Sequence, residues 1–233
     1  MIERTVRTRS DDNRQQNLEI SLIEAVASRI NHDLSNPMMI FNNVLEIIKA
    51  KNYKCSKQEL QEYVKMLAAA SFRLNTQAKT LAHFNSPILH AKKESVLKII
   101  KKVICDIGVP PSIQIHLPTK DVKIDMDVNQ IETVLIILIT NALQVMNDKG
   151  VIFIRLAEYK NEIILKIEDL GDGIPLELLS KLFEPTYLNR KIGYCLGLPT
   201  CKRVIENHGG MISVQTTPFG TVFSLKLVKE IGR

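Results

Sequence analysis

The segment INHDLSNPMMIFNN, residues 30–43, places Asp33 beside His32, Asn36 four residues on, and Pro37 directly after. An unperturbed imidazole titrates near pH ~6.5, so a good share of it is neutral at pH 7 and nucleophilic. A carboxylate next to it can hold one ring N–H and leave the other nitrogen to attack, the orienting role an acid plays in catalytic triads. On a helix Asn36 lies one turn along the same face, where its amide could position a water against a group carried on the ring. Pro37 removes the backbone bond to the Asp33 carbonyl and can bend the helix there. Taken alone, the pattern is more often that of a solvated surface histidine.

A second set of residues suits a nucleotide. In EDLGDGIP, Asp169 stands at the end of a strand-like run and is followed by Gly171 and Gly173. A carboxylate there can accept the exocyclic N–H of adenine, while glycines let the backbone approach a flat ring; a tight turn could use the same residues. GYCLGL, residues 193–198, opens a helical pattern. Backbone N–H groups at a helix N-terminus suit phosphates, and Gly193 and Gly197 would let the loop wrap them. Asn141, in ITNALQVM, offers a neutral oxygen suited to one position around an octahedral Mg²⁺ whose other ligands are phosphates and water.

These residues need elements to hold them. From 18 to 50 the positions Ile23, Ala27, Ile30, Leu34, Pro37, Phe41, Val44 and Ile48 alternate steps of four and three, the mark of a helix packed along one seam. With Ala27 and Ile30 on the seam, His32 falls opposite it and faces solvent. A polar break, KAKNYKCSKQE, precedes a second run through Leu60, Val64, Leu67, Ser71, Leu74, Ala78 and Leu81. Two long helices with a short loop make an antiparallel hairpin. Apolar residues off the seam (Val26, Met38, Ile40, Leu45, Ile47) call for further cover, which a homodimeric four-helix bundle would supply. After NSPILH, residues 85–90, the texture changes to strands interleaved with helices: ESVLKIIKKVICDI, SIQIHLP, VKID, NQIETVLIILITNALQVM, VIFIRLAEY, EIILKIEDL, a helix at 197–207 and a closing hairpin. The expected fold class is α+β, with a helical hairpin at residues 1–90 and an α/β sandwich at 91–233.

Composition sets the bounds. With 233 residues, 45% hydrophobic and 24% charged, the chain can build one or two ordinary globular cores. A net charge of +6 with Lys and Arg spread out, no Trp and 5% aromatics lacks the basic-aromatic stripe of a nucleic-acid binder. The four cysteines show no metal spacing, which fits reduced thiols and a cytoplasmic location. The longest apolar run, VLIILI at 134–139, falls far short of the ~20 residues of a membrane span. His83, His90 and His116 show no metal spacing either, and His208, before Gly209, reads as a helix-end residue.

In their order, HDLSNP, TNALQVM, EDLGDGIP, LFEP, GYCLGLPTCKRVIENHGG and GTVFSL resemble the H, N, G1, F and G2 boxes of two-component sensor histidine kinases. The resemblance covers residues 18–229. It implies a dimerisation and histidine-phosphotransfer domain followed by an ATP-binding domain of the Bergerat, or GHKL, type. His32 matches the phosphoacceptor, Asp33 the acid beside it, and Asn36 the residue that helps water remove phosphate from a response regulator. Asn141 matches the Mg²⁺ asparagine and Asp169 the adenine-binding aspartate, with Gly171, Gly173 and Thr221 around the base. Gly193, Gly197 and Leu198 match the phosphate loop. Residues 176–192 match a lid, on which Arg190 stands where kinases of the nitrogen-regulation type carry a lysine. The implied cofactors are ATP and Mg²⁺. The implied partners are a second copy of the chain, a receiver domain docked near residues 32–43, and a separate input protein or a longer chain that carries the sensor.

Three positions depart from the family pattern. Ile137 stands where a further asparagine is usual, Cys195 replaces the middle glycine of GxGLGL, and Pro199 replaces Ala or Ser. Pro199 is tolerable in a first helical turn. A side chain at Cys195, in a loop that needs positive φ, costs about 1 kcal/mol or more, which points to weakened ATP binding without requiring its loss. The stretch EAVASRINHDLSNPMMIFNNVLEII also resembles histidine phosphotransferases of the ChpT type, dimers of this architecture that relay phosphate between receiver domains without ATP. Those proteins typically lose the G1 and G2 boxes, whereas Asp169, Gly171, Gly173 and the LGL of residues 196–198 are kept here.

Overall fold

The computed structural model describes residues 9–84, 86, 88–147, 149–184 and 196–231, and within residues 9–29 the side chains of Glu24, Ala27 and Ser28 only. Two helices come first, α1 (Arg9–Ala50) and α2 (Lys57–Phe84), packed antiparallel about a turn in which Asn52 and Tyr53 take positive φ. A capping box starts α2. The Glu59 N–H donates to Ser56 Oγ at 3.2 Å, and the Ser56 N–H donates to Glu59 Oε2 at 2.8 Å. Lys51, just past α1, pairs with the same carboxylate.

On α1, Pro37 and Val44 are buried and Leu34, Phe41 and Ile48 half-buried, as the heptad pattern requires; Ala27 is exposed, and Ile23 and Val26 lie outside the described side chains. The helix runs through Pro37 without ending. On α2 the pattern misled. The covered line runs through Tyr63, Leu67, Ala70, Leu74, Gln77 and Leu81, while Leu60, Val64, Ser71 and Ala78 are exposed. Two stripes of the same period share every second member on this helix, and periodicity cannot say which faces the partner helix.

The second unit comprises β1 (Lys92–Ser95), α3 (Val96–Ile107), β2 (Ile113–His116), β3 (Lys123–Met126), α4 (Val128–Val145), β4 (Gly150–Glu158), β5 (Glu162–Asp169), a short turn of helix α5 (Leu176–Leu179), α6 (Gly197–Asn207), β6 (Met211–Thr217) and β7 (Gly220–Val228). A five-stranded sheet has the order β2-β4-β5-β7-β6, with β2 parallel to β4 and the other pairs antiparallel. A separate two-stranded ribbon pairs β1 with β3. Strand β1, KKES, has no apolar alternation to announce it and is defined by its ladder alone.

Alternation places Ile163, Leu165 and Ile167 of β5 and Phe223, Leu225 and Leu227 of β7 on the covered face of the sheet. Helices α3, α4 and α6 form the other layer of the core. Ser95 caps α3 by accepting the Lys98 N–H at 2.9 Å, and Asp127 caps α4 through the N–H groups of Asn129 and Gln130. Helix α4 is buried nearly all round. Among the described residues it is the one helix long and apolar enough to cross a membrane, a property it shares with buried core helices. The chain is thus α+β, a helical hairpin followed by a two-layer sandwich.

The two units touch. Phe72 of α2 packs against the sandwich core, and Thr76, Gln77 and Thr80 are buried. Thr200 Oγ1 of α6 donates to the Thr80 carbonyl at 3.4 Å, and the Arg203 guanidinium lies over the Phe84 ring at 5.5 Å. Equal rise along antiparallel helices puts His32 level with α2 near Asn75, within this packed stretch.

Candidate functional site

His32 lies on the open face of α1, its side chain 58% exposed. Its Nδ1 is 3.2 Å from Asp33 Oδ1. With Nδ1–H donating to that carboxylate, Nε2 keeps its lone pair. The Asn36 amide nitrogen reaches the ring from one turn on, 3.4 Å from Nε2 and 3.5 Å from Nδ1. At those lengths the amide is a loose neighbour that can yield to a reacting group. Pro37 is buried beneath and has no N–H of its own to donate to the Asp33 carbonyl.

Asp169 ends β5 on the covered side of the sheet and is 4% exposed. Its position follows from strand alternation, since it continues the Ile163, Leu165, Ile167 series, and it pairs across the ladder with Thr221 of β7, also buried. The Gly171 N–H donates to Asp169 Oδ1 at 3.0 Å. Burial holds the Asp169 carboxyl above the ordinary aspartate range, against the backbone N–H groups of Gly171 and Thr221, which pull the other way.

The two glycines beside it have different reasons to be glycine. A Cβ on Gly171 would stand 3.1 Å from Asp169 Oδ1 and 2.8 Å from Val145 Cγ2, so it keeps space open at the carboxylate itself. Gly173, at φ +71°, has no room for a Cβ because the Thr217 carbonyl oxygen occupies the place. Next to it the Ile174 N–H donates to Thr216 Oγ1 at 2.8 Å, clipping the loop to the β6–β7 hairpin. The turn by itself therefore requires glycine at 173.

Asn141, on the last turns of α4, has a buried Oδ1 with no hydrogen-bond partner among the described residues. An unsatisfied buried carbonyl-type oxygen is costly, and it is the donor a hard cation takes. One turn earlier Ile137 is fully buried, so that position contributes to the core. Gly197 and Leu198 form the buried first turn of α6, whose N-cap residue, Leu196, gives no side-chain cap, and Pro199 follows within the same turn. Arg190, Gly193 and Cys195, and the lid beyond residue 184, lie outside the described residues. Cys201 is fully buried, which pushes its thiol far up and leaves it inert.

His208 does more than end a helix. Fully enclosed, it donates from Nδ1 to the Val204 carbonyl at 2.7 Å and accepts the Asp127 N–H on Nε2 at 3.0 Å, joining the end of α6 to the cap of α4. The D-x-x-Q spacing of Asp127 and Gln130 before an apolar run was the sequence signal for that cap; nothing local announced its histidine.

Comparison with known proteins bears on the whole arrangement. Residues 126–231 match the family described as histidine kinase-, DNA gyrase B-, and HSP90-like ATPase. Sporulation kinase A of Bacillus subtilis (strain 168) is 28% identical over 222 residues, covering 91% of this chain and 36% of the relative. The catalytic domain of the histidine kinase ThkA superposes with a TM-score of 0.56 at 26% identity, over 61% of this chain and 99% of that one. ThkA in complex with the response regulator protein TrrA gives a TM-score of 0.63 at 23% identity, over 95% of this chain and 66% of that one, a likeness of fold. The chain spans half or less of the length of the first curated relatives it matches.

Proposed function

We propose that the chain is the catalytic core of an ATP-dependent protein histidine kinase, a reading supported by the match of residues 126–231 to the histidine kinase-, DNA gyrase B-, and HSP90-like ATPase family. In this reading residues 1–90 form the dimerisation and phosphotransfer unit and residues 91–233 bind ATP. Asp169 accepts the exocyclic N–H of adenine beside Gly171 and Thr221, and the first turn of α6, with Gly197 and Leu198, faces the phosphates. Arg190 and Gly193 belong to the same set by sequence alone. The free Oδ1 of Asn141 fits one ligand of Mg²⁺. When bound, the ion would neutralise phosphate charge.

His32 Nε2 attacks the γ-phosphorus as the bond to the β-phosphate oxygen breaks and ADP leaves. The positive charge that develops on the ring is held by Asp33 at Nδ1. Phosphate then passes to an aspartate of a response-regulator receiver domain on the face near residues 32–43. Asn36 stands where it can orient a water to hydrolyse the receiver's aspartyl phosphate, the phosphatase reaction, which releases inorganic phosphate. The input reaches the chain from a partner or from a longer polypeptide.

The observation that carries this reading is the exposed His32 imidazole, held at Nδ1 by Asp33 so that Nε2 keeps its lone pair, on a hairpin against which a nucleotide-type domain is packed. The test is incubation with Mg²⁺ and γ-labelled ATP. We expect acid-labile, base-stable label on the chain and none on His32→Gln, with nucleotide binding equal in both. Label that survives the substitution would sink the assignment. An unlabelled wild type that takes phosphate from a phosphorylated receiver domain would make the chain an ATP-independent phosphotransferase.

A further inference from the structure

The segment joining the two units is held by the sandwich at three backbone atoms. Asn207 Nδ2, at the end of α6, donates to the Ser86 carbonyl at 3.1 Å. Gln130 Nε2, in the first turn of α4, donates to the Ile88 carbonyl at 2.9 Å. Asp127 Oδ2 accepts the His90 N–H at 3.0 Å.

Local helix chemistry does not demand these bonds. Asp127 and Gln130 have the spacing of a capping box, in which the third residue turns back to the cap's own N–H. Here His208 Nε2 has taken that N–H. The Gln130 carboxamide is thereby released to reach the linker, and it does so although its buried Oε1 has no partner among the described residues. A side chain that accepts an unsatisfied atom to hold one orientation is serving something other than local stability.

We propose that Gln130, Asn207 and Asp127, with His208 behind them, are positioning residues that fix the pose of the ATP-binding unit on α2 and so set the rate of phosphoryl transfer to His32. The inference rests on the kinase reading given above. A free linker between Phe84 and Lys92 would let the sandwich sample many orientations, diluting the effective concentration of nucleotide at the histidine. With the linker fixed, the contacts of Thr200 with Thr80 and of Arg203 with Phe84 recur in one arrangement. Gln130 is eleven residues, three turns of α4, from Asn141, roughly 16 Å away, so nucleotide affinity does not pass through it.

The test is Gln130→Met with Asn207→Ala in the full chain, and Asn207→Ala alone. Methionine keeps the volume while removing the donor and the orphaned oxygen together. Asn207 is only half-buried, so its single variant leaves the core untouched and guards against a misfolded double variant. Three quantities are read: amide hydrogen exchange over residues 84–92, the Kd of a fluorescent ATP analogue, and the rate of His32 labelling. We expect faster exchange, a Kd within about two-fold of wild type, and labelling slowed about ten-fold in the double variant. Labelling at the wild-type rate or above, with exchange raised, would overturn the proposal. So would exchange that stays at the wild-type level in both variants. A wild-type chain that takes no label overturns the kinase reading and the claim about rate with it, and the exchange data still decide whether the three bonds hold the linker.

Discussion

At the scale of residues, Asp169 shows how one position carries two opposed demands. The folded chain buries its carboxyl, and burial raises its affinity for a proton. The sign follows directly: the folded state holds that proton more tightly than the unfolded state, so stability falls as pH rises from the ordinary aspartate range through the raised value. Asp169→Asn removes this loss. Its melting temperature relative to wild type should climb with pH across the acid range and then level. Nucleotide binding should move the other way, because an amide that presents its NH₂ group cannot accept from adenine. A charged hydrogen bond is worth about 1.5–3 kcal/mol, so a Kd weaker by ten-fold or more is expected from titration calorimetry with ATP. Wild-type affinity in the variant would remove Asp169 from the adenine site. The aspartate was legible because it ends an alternating strand inside a glycine-spaced motif. The reason for Gly173 was not, since the Thr217 carbonyl that excludes a side chain there comes from a hairpin more than forty residues on.

At the scale of elements, the joint between α6 and α4 is made by a neutral histidine. Burial depresses the pKa of His208, while the Val204 carbonyl and the charge of Asp127 oppose the shift. A depressed imidazole contributes stability that is fully present above about pH 6.5 and is lost as pH falls below it, because protonation turns Nε2 from acceptor of the Asp127 N–H into a donor. His208→Gln keeps an acceptor but does not titrate. Thermal melts should show it less stable than wild type by about 1 kcal/mol near pH 7.5 and flatter on the way down to about pH 5.5. A variant as acid-sensitive as wild type would move the effect elsewhere, to His83 for instance, whose pKa burial also lowers. Most elements could be read from periodicity. Strands β4, β5 and β7 alternate cleanly, and α3 is apolar on one face only. What could not be read was pairing at a distance: the polar strand β1, the choice between two stripes on α2, and a histidine that caps a helix eighty residues away.

At the scale of the whole molecule, the stripe that periodicity chose on α2 still asks for a partner. Leu60 and Val64 stand exposed, Val64 at 63%, and α1 adds Met38, Leu45 and Ile47. Apolar residues at helical spacing on two adjacent helices are more than a single hairpin needs, and their burial at about 25 cal/mol per Å² favours association. The hairpin has already used its other face on itself and on the sandwich, so the proposed occupant is a second copy of the chain, which would complete a four-helix bundle. Light scattering on the full chain should give twice the monomer mass. Val64→Glu with Leu45→Glu should bring it to the monomer, because each charge would have to be buried against the matching face of the other subunit. Neither residue touches the Asp169 site, so ATP affinity should hold in the variant. Its labelling decides the direction of transfer. If His32 is still labelled in the monomer, phosphate moves within one chain; if label returns only when a subunit carrying His32 is mixed with one that binds ATP, it moves between the two.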